Sequence, residues 1–251
     1  MLNAINHQVK KYLAKIGLEI RRNPYANAFE LQKALVTEIA PVIFDVGAFR
    51  GETYLEYRRI YPKAKLHLVE PFQESIDKLK VLTEQDKDCR IHEVALADES
   101  STRKLFFNAA PATNSLKKLH PDAGLIWENE NLKNVSAVNI ETKTLDDLTN
   151  SINIDQIDIL KIDVQGAEFS VLLGGKYLLS NQKIGVIFFE HIVADTYEDQ
   201  KPLQAYLELM TSYNYTLLDV IEPVRRNARI LQFDLIFASK NIVAQLASSQ
   251  P

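Results

Sequence analysis

An α/β architecture, with a mostly parallel sheet, helices on both faces and an antiparallel hairpin at its end, is predicted by three features of the 251-residue sequence. Apolar runs rich in β-branched residues recur at 42–46, 66–69, 157–162 and 184–189, as strands covered on both faces require. Glycine turns and helical patterns separate them, which is the order of βαβ units. Strand-like segments at 215–221 and 230–238 then follow each other without a helix, which suits an antiparallel hairpin on a parallel sheet.

The elements follow in order. Residues 1–38 read as a helical cap, and residues 39–251 as a single domain. Leu2, Ile5, Val9, Leu13, Ile16 and Ile20 recur at helical spacing, and Asn23-Pro24 should stop that helix. Such a stripe is expected to pack on its own domain, or on a second copy to give a homo-oligomer, rather than on a membrane surface. A first strand at 42–46 leads through a helix at about 53–61 to a second strand that ends before Pro71. A helix over 72–83 and a third strand at about 90–95 come next. Residues 101–140 break the alternation, with strand-like 103–107 and 135–140 separated by an irregular stretch. This insertion is expected to fold over the site as a lid, because long loops in compact domains are disproportionately functional. Thr144 opens a helix, and a buried strand at 157–162 ends in Asp163. A glycine turn, a helix stopping at Gly174-Gly175, a strand at 184–191, a helix near 201–212 and the hairpin close the chain.

Composition excludes several classes. A net charge of −4 argues against nucleic acid as a main partner, since backbone binding needs concentrated lysine and arginine. Cys89 is the single cysteine, so there is no intrachain disulfide and no cysteine zinc site. No stretch approaches the roughly 18 apolar residues of an integral membrane segment, and no signal-type apolar region opens the chain, so a cytoplasmic protein is expected. No compact set of metal ligands is visible either, and no metal is expected.

The first glycine turn reads Asp45-Val46-Gly47-Ala48-Phe49-Arg50-Gly51, and the second strand ends in Glu70-Pro71. Glu70 lies 23 residues after Gly47, the separation of a turn, a crossover helix and a return strand. An acid there can accept hydrogen bonds from ribose hydroxyls. A dinucleotide fingerprint would need glycines where Phe49 and Glu52 stand, so a bound pyrophosphate is disfavoured and an NAD-dependent oxidoreductase is the weaker alternative. The turn offers a carboxylate and close backbone approach, which suits a cationic nucleoside. S-adenosylmethionine fits, with its ribose at Glu70 and its ammonium and sulfonium near Asp45. Ala95 and Asp98, at the end of the third strand, are expected to flank the adenine, with Asp98 accepting from its amino group.

In order along residues 42–240, the chain then supplies Asn114-Ser115-Leu116, Thr144-Leu145-Asp146-Asp147-Leu148 and Leu160-Lys161-Ile162-Asp163-Val164-Gln165-Gly166-Ala167-Glu168. Together with the first turn and Glu70-Pro71, this ordered set resembles the FkbM-type S-adenosylmethionine-dependent methyltransferases. The resemblance implies a Rossmann-like class I methyltransferase fold with a seven-stranded sheet. It also implies methyl transfer to a hydroxyl, often on a sugar, glycan or other small molecule, with Asn114, Ser115 and Gln165 near the acceptor. Two positions depart from the pattern: Phe49 stands where Asn is usual, and Gln165 where Glu is usual. These departures raise the alternative of an inactive cofactor-binding homologue. Removing a hydroxyl proton calls for a base, and Asp163 and His191, both at carboxyl ends of central strands, are the candidates: Asp163 is expected in a supporting role near the methionine part of the cofactor or the acceptor, and His191 can take the proton near neutral pH. Glu190 is expected to face away from whatever His191 faces.

Overall fold

The computed structural model describes residues 27–248. Helix α1 (Ala28–Leu35) starts on the side chain of Asn27, which accepts from the Phe29 amide at 2.7 Å. Strand β1 (Val42–Val46), helix α2 (Glu52–Ile60), strand β2 (Lys65–Val69), helix α3 (Gln73–Leu82) and strand β3 (Cys89–His92) form the first half. Strands β4 (Ala95–Leu96), β5 (Ser101–Asn108) and β6 (Asn134–Lys143) follow, with a 3-10 turn at Pro111–Thr113 and helix α4 (Ala123–Trp127) between the last two. The second half runs α5 (Leu145–Ser151), β7 (Ile157–Ile162), α6 (Glu168–Leu173), α7 (Lys176–Ser180), β8 (Ile184–Ile192), α8 (Leu203–Ser212), β9 (Thr216–Arg226), β10 (Arg229–Ala238) and α9 (Lys240–Ser248).

Seven strands make one sheet in the order β3-β2-β1-β7-β8-β10-β9. The pairs among β1, β2, β3, β7 and β8 are parallel, and β10 is antiparallel to both neighbours. The expected Rossmann-like class I architecture is therefore present. Strand order reverses between β2 and β7, so the carboxyl ends of β1 and β7 open side by side into a crevice. One core layer packs Phe44, Leu160, Ile187, Val171 and Leu179 under α5 to α8. The other packs Ile43, Leu66, Ile159, Tyr57 and Leu79 under α1, α2, α3 and α9. Because Ile43 and Phe44 are both 0% exposed, both faces of β1 are covered, which is why the run carries no polar alternation. Each fully buried large side chain stabilises the fold by about 1.5–3 kcal/mol.

Three expectations need correction. The third strand ends at His92 rather than near 95, because the Val94 amide turns back onto the His92 carbonyl at 2.9 Å. Ala95 and Leu96 leave the main sheet as β4 and pair in parallel with β6, in a separate three-stranded sheet with β5. The hairpin does not close the chain, since α9 folds back and buries Ile242 in the second core layer. Residues 1–26 of the predicted cap, with Asn23-Pro24 and the apolar stripe offered for self-association, lie outside the described residues.

Candidate functional site

Gly47 adopts φ 83°, and a Cβ there would lie 1.9 Å from the Asp163 carbonyl oxygen, so only glycine lets the ends of β1 and β7 approach this closely. Phe49 follows in the left-handed region at φ 46°. That conformation aims its backbone N–H at Glu70 Oε2, 2.9 Å away, while the Phe72 N–H reaches Glu70 Oε1 at 2.9 Å. Burial pushes the Glu70 carboxyl up, and these two amides pull it back. Glu70 is thus pinned at the rim with lone pairs left to accept from a ligand. Gly51 takes φ 91° before α2 and packs against Leu82, so its place is in the turn.

A cavity opens over this crevice. Gly47, Phe49, Glu70 and Pro71 line one side, and Asp163, Val164 and Gln165 the other. Phe72, Val94, Ala95, Leu96 and Leu105 make an apolar slot beyond Glu70, and Pro111, Ala112, Asn114, Ser115 and Leu116 of the insertion complete the wall. The Ser115 hydroxyl donates to the Gln165 carbonyl at 2.7 Å, and Asn114 Oδ1 accepts from the Asn108 amide at 2.8 Å, so both polar side chains brace loops.

Asp45 does not line this cavity. It is 0% exposed, and Lys161 Nζ, 2.9 Å from its Oδ1, neutralises it. The register that places Lys161 opposite Asp45 on the neighbouring strand makes this pair unavoidable. Lys161 also lies 3.6 Å from Asp163 Oδ2 and 3.4 Å from the Gly47 carbonyl. Burial alone would lower the lysine, but Asp45 and Asp163 outweigh it and hold the ammonium above its ordinary range. Asp163, with 39% of its side chain exposed, does reach the cavity. Beneath its turn, Glu168 Oε1 accepts from the Val164 and Gly166 amides at 3.0 and 3.2 Å.

Asp98 is drawn away from the adenine side. Its Oδ1 accepts from the Ser170 hydroxyl and from Arg103 at 2.8 Å, and it faces a neighbouring groove instead. His191 also lies elsewhere. It is 2% exposed, edge-on to Tyr206 at 5.0 Å and beside Phe233 at 5.4 Å, in the core under α8. Alternation does turn Glu190 and His191 to opposite faces, but it is Glu190 that meets the Asp163 turn, through the Gln165 amide at 3.0 Å. Sequence reading missed Tyr197, whose hydroxyl reaches the same amide from a loop far along the chain. Among the described residues, no group of three or more His, Cys, Asp or Glu is placed to hold a metal ion.

Burial lowers the His191 imidazole from 6.5 to about 4. Between those values the unfolded chain binds a proton that the folded state refuses. The stability this group contributes is therefore complete above pH 6.5 and lost as pH falls towards 4. His191→Phe is expected to remove that loss, gaining on the order of 2 kcal/mol at about pH 4.5 relative to wild type in urea titrations. The same variant should leave affinity for S-adenosylhomocysteine unchanged; a collapse of that affinity would place His191 in the site.

Comparison with known proteins agrees with this geometry. The family described as Methyltransferase FkbM domain matches residues 45–217. The chain is 27% identical over 186 residues to the 2-O-methyltransferase NoeI of Sinorhizobium fredii, covering 72% of this chain and 75% of that protein. It is 29% identical over 155 residues to the methyltransferase sdnD of Sordaria araneosa, covering 53% of this chain and 60% of that one. The crystal structure of Methyltransferase FkbM from Methylobacillus flagellatus superposes with a TM-score of 0.54 at 15% identity, over 91% of this chain and 50% of the other. The chain thus spans about half of that solved protein, and their likeness is one of fold. No helix among the described residues is long and apolar enough to cross a membrane.

Proposed function

This chain belongs to the FkbM methyltransferase domain family, and from that premise we propose that it moves a methyl group from S-adenosylmethionine to a hydroxyl of a small molecule or glycan. The observation that carries this reading is the pinned Glu70 at one end of the cavity and the half-exposed Asp163 at the other, with an apolar slot beyond Glu70. The cavity's donors and walls fit an adenosyl group: Glu70 accepts from ribose hydroxyls, and the slot between Phe72, Val94 and Leu105 takes a flat base. When bound, the cofactor supplies an electrophilic methyl carbon on a cationic sulfur.

The chain's own residues supply alignment and a proton acceptor. Residues 111–116 wall the cavity and limit water, while the close approach of Gly47 and Asp163 keeps the two ends of the site in fixed register. Asp163 accepts the hydroxyl proton as the oxygen gains its methyl group, and its exposed side returns that proton to solvent. Oxygen as the acceptor atom is supported by this carboxylate base and by the 2-O-methyltransferase named among the relatives.

Calorimetry with S-adenosylhomocysteine tests the reading. Wild type should bind, and Glu70→Ala should weaken binding by about 30-fold or more, the loss expected of hydrogen bonds to a charged group. Equal affinity in the two proteins would refute the assignment. Transfer of labelled methyl from S-adenosylmethionine across a panel of glycans and hydroxylated small molecules then identifies the acceptor class.

A further inference from the structure

Each polar atom of the Gln165 side chain is engaged within the protein. Its residue sits in the left-handed region at φ 56°, and its Nε2 donates to Asp163 Oδ1 at 2.9 Å and to Glu190 Oε2 at 3.0 Å. Its Oε1 faces the Tyr197 hydroxyl at 3.1 Å. Both amide hydrogens therefore serve the protein itself, and Gln165 is not available to donate to an acceptor. The neutral amide instead separates two carboxylates that would otherwise face each other directly.

Tyr197 comes from the connection between β8 and α8 and is 2% exposed. Its backbone is fixed from two sides: its amide donates to Gln200 Oε1 at 3.0 Å, and it bridges Leu119 across the insertion. Its ring presses on Gly166, where a Cβ would come within 2.7 Å of it. Its hydroxyl lies 3.0 Å from the carbonyl of Thr113, between the wall residues Ala112 and Asn114, and 3.1 Å from Gln165 Oε1. One phenolic hydrogen thus serves two acceptors, one on the insertion and one on the Asp163 turn. Burial, with Glu168, Glu190 and Asp163 nearby, keeps the phenol well above its ordinary range, so it remains a donor.

We propose that Tyr197 is a positioning residue that orients the Gln165 amide towards Asp163 and ties the insertion at Thr113 to the Asp163 turn. This rests on the reading of Asp163 as the proton acceptor. Removing the hydroxyl takes this donor from the amide oxygen and leaves the Thr113 carbonyl with the Asn108 side-chain amide alone, so the amide is no longer held against Asp163. The charged groups around that carboxylate are Lys161 on its own strand, Asp45 from β1, Glu190 from β8, Asp234 from β10 and Glu168 from α6. Freeing the amide would expose Asp163 to Glu190 without an intervening donor.

Tyr197→Phe keeps the ring on Gly166 and removes only the hydroxyl, and Gln165→Leu breaks the same link from its other end. By NMR on the S-adenosylhomocysteine-saturated protein, the Gln165 side-chain amide hydrogens should exchange with solvent at least about tenfold faster in Tyr197→Phe than in wild type. In methyl transfer, both variants should lose about tenfold in kcat with acceptor KM unchanged. Unchanged amide exchange in Tyr197→Phe, or a loss confined to KM, would overturn the proposal. Should S-adenosylhomocysteine not bind wild type at all, the cofactor reading fails, and faster amide exchange in ligand-free Tyr197→Phe would still uphold the Tyr197 link.

Discussion

Lys161→Met should lower the free energy of unfolding by about 3–5 kcal/mol at neutral pH, because it leaves a buried carboxylate without its counter-charge. Asp45 is 0% exposed, its oxygens receive no backbone or hydroxyl hydrogen bond among the described residues, and the ammonium 2.9 Å away is what offsets its burial. Burial raises the Asp45 carboxyl, and Lys161 restrains that rise. Without the lysine the folded state binds this proton more tightly than the unfolded chain does. The deficit is then absent well below the ordinary aspartate value of 3.8 and grows as pH rises above it, up to the elevated folded value. Urea denaturation across pH measures this directly. The double variant Asp45→Asn with Lys161→Met should recover most of the loss, since no charge is then buried alone. A single variant as stable as wild type would show that Asp45 is already neutral.

Asp163→Asn is expected to cut kcat by about 10²–10⁴ while affinity for S-adenosylhomocysteine stays within about fivefold. The asparagine keeps the shape of the side chain, and its oxygen can still accept from Gln165 at the 2.9 Å now seen for Asp163. What disappears is the ability to take a proton. Lys161, 3.6 Å from Asp163 Oδ2, would remain paired with Asp45, so the fold should survive the change. Single-turnover methyl transfer, with acceptor identified from the panel above, separates the outcomes. A variant that retains wild-type kcat would move the base elsewhere, with Glu190 next in line through Gln165.

Several parts of the site were legible in the sequence because they depend on short spacings. Gly47, Phe49 and Glu70 lie within one βαβ unit, and a unit of that length places its second strand beside its first. The approach of Gly47 to Asp163 was not legible, although both turns were, since it depends on β7 inserting next to β1. Asp98 illustrates the limit differently. Its position at the end of the third strand suggested the adenine, but β4 leaves the main sheet there, and Arg103 and Ser170 capture the carboxylate.

Local pattern by itself determined the alternation of strands and helices, the two glycine turns, the acid ending the second strand and the antiparallel finish, because each is set by periodicity or by backbone freedom within a few residues. Only the tertiary structure decided that Asp45 is spent on Lys161, that Glu190 rather than His191 meets the Asp163 turn, and that Tyr197 reaches Gln165 from 32 residues away. Alternation says that neighbouring residues face opposite sides of a sheet, but which side holds the crevice depends on the packing of helices from both halves of the chain. Charge partners likewise follow from strand register, a long-range property that no window of sequence contains.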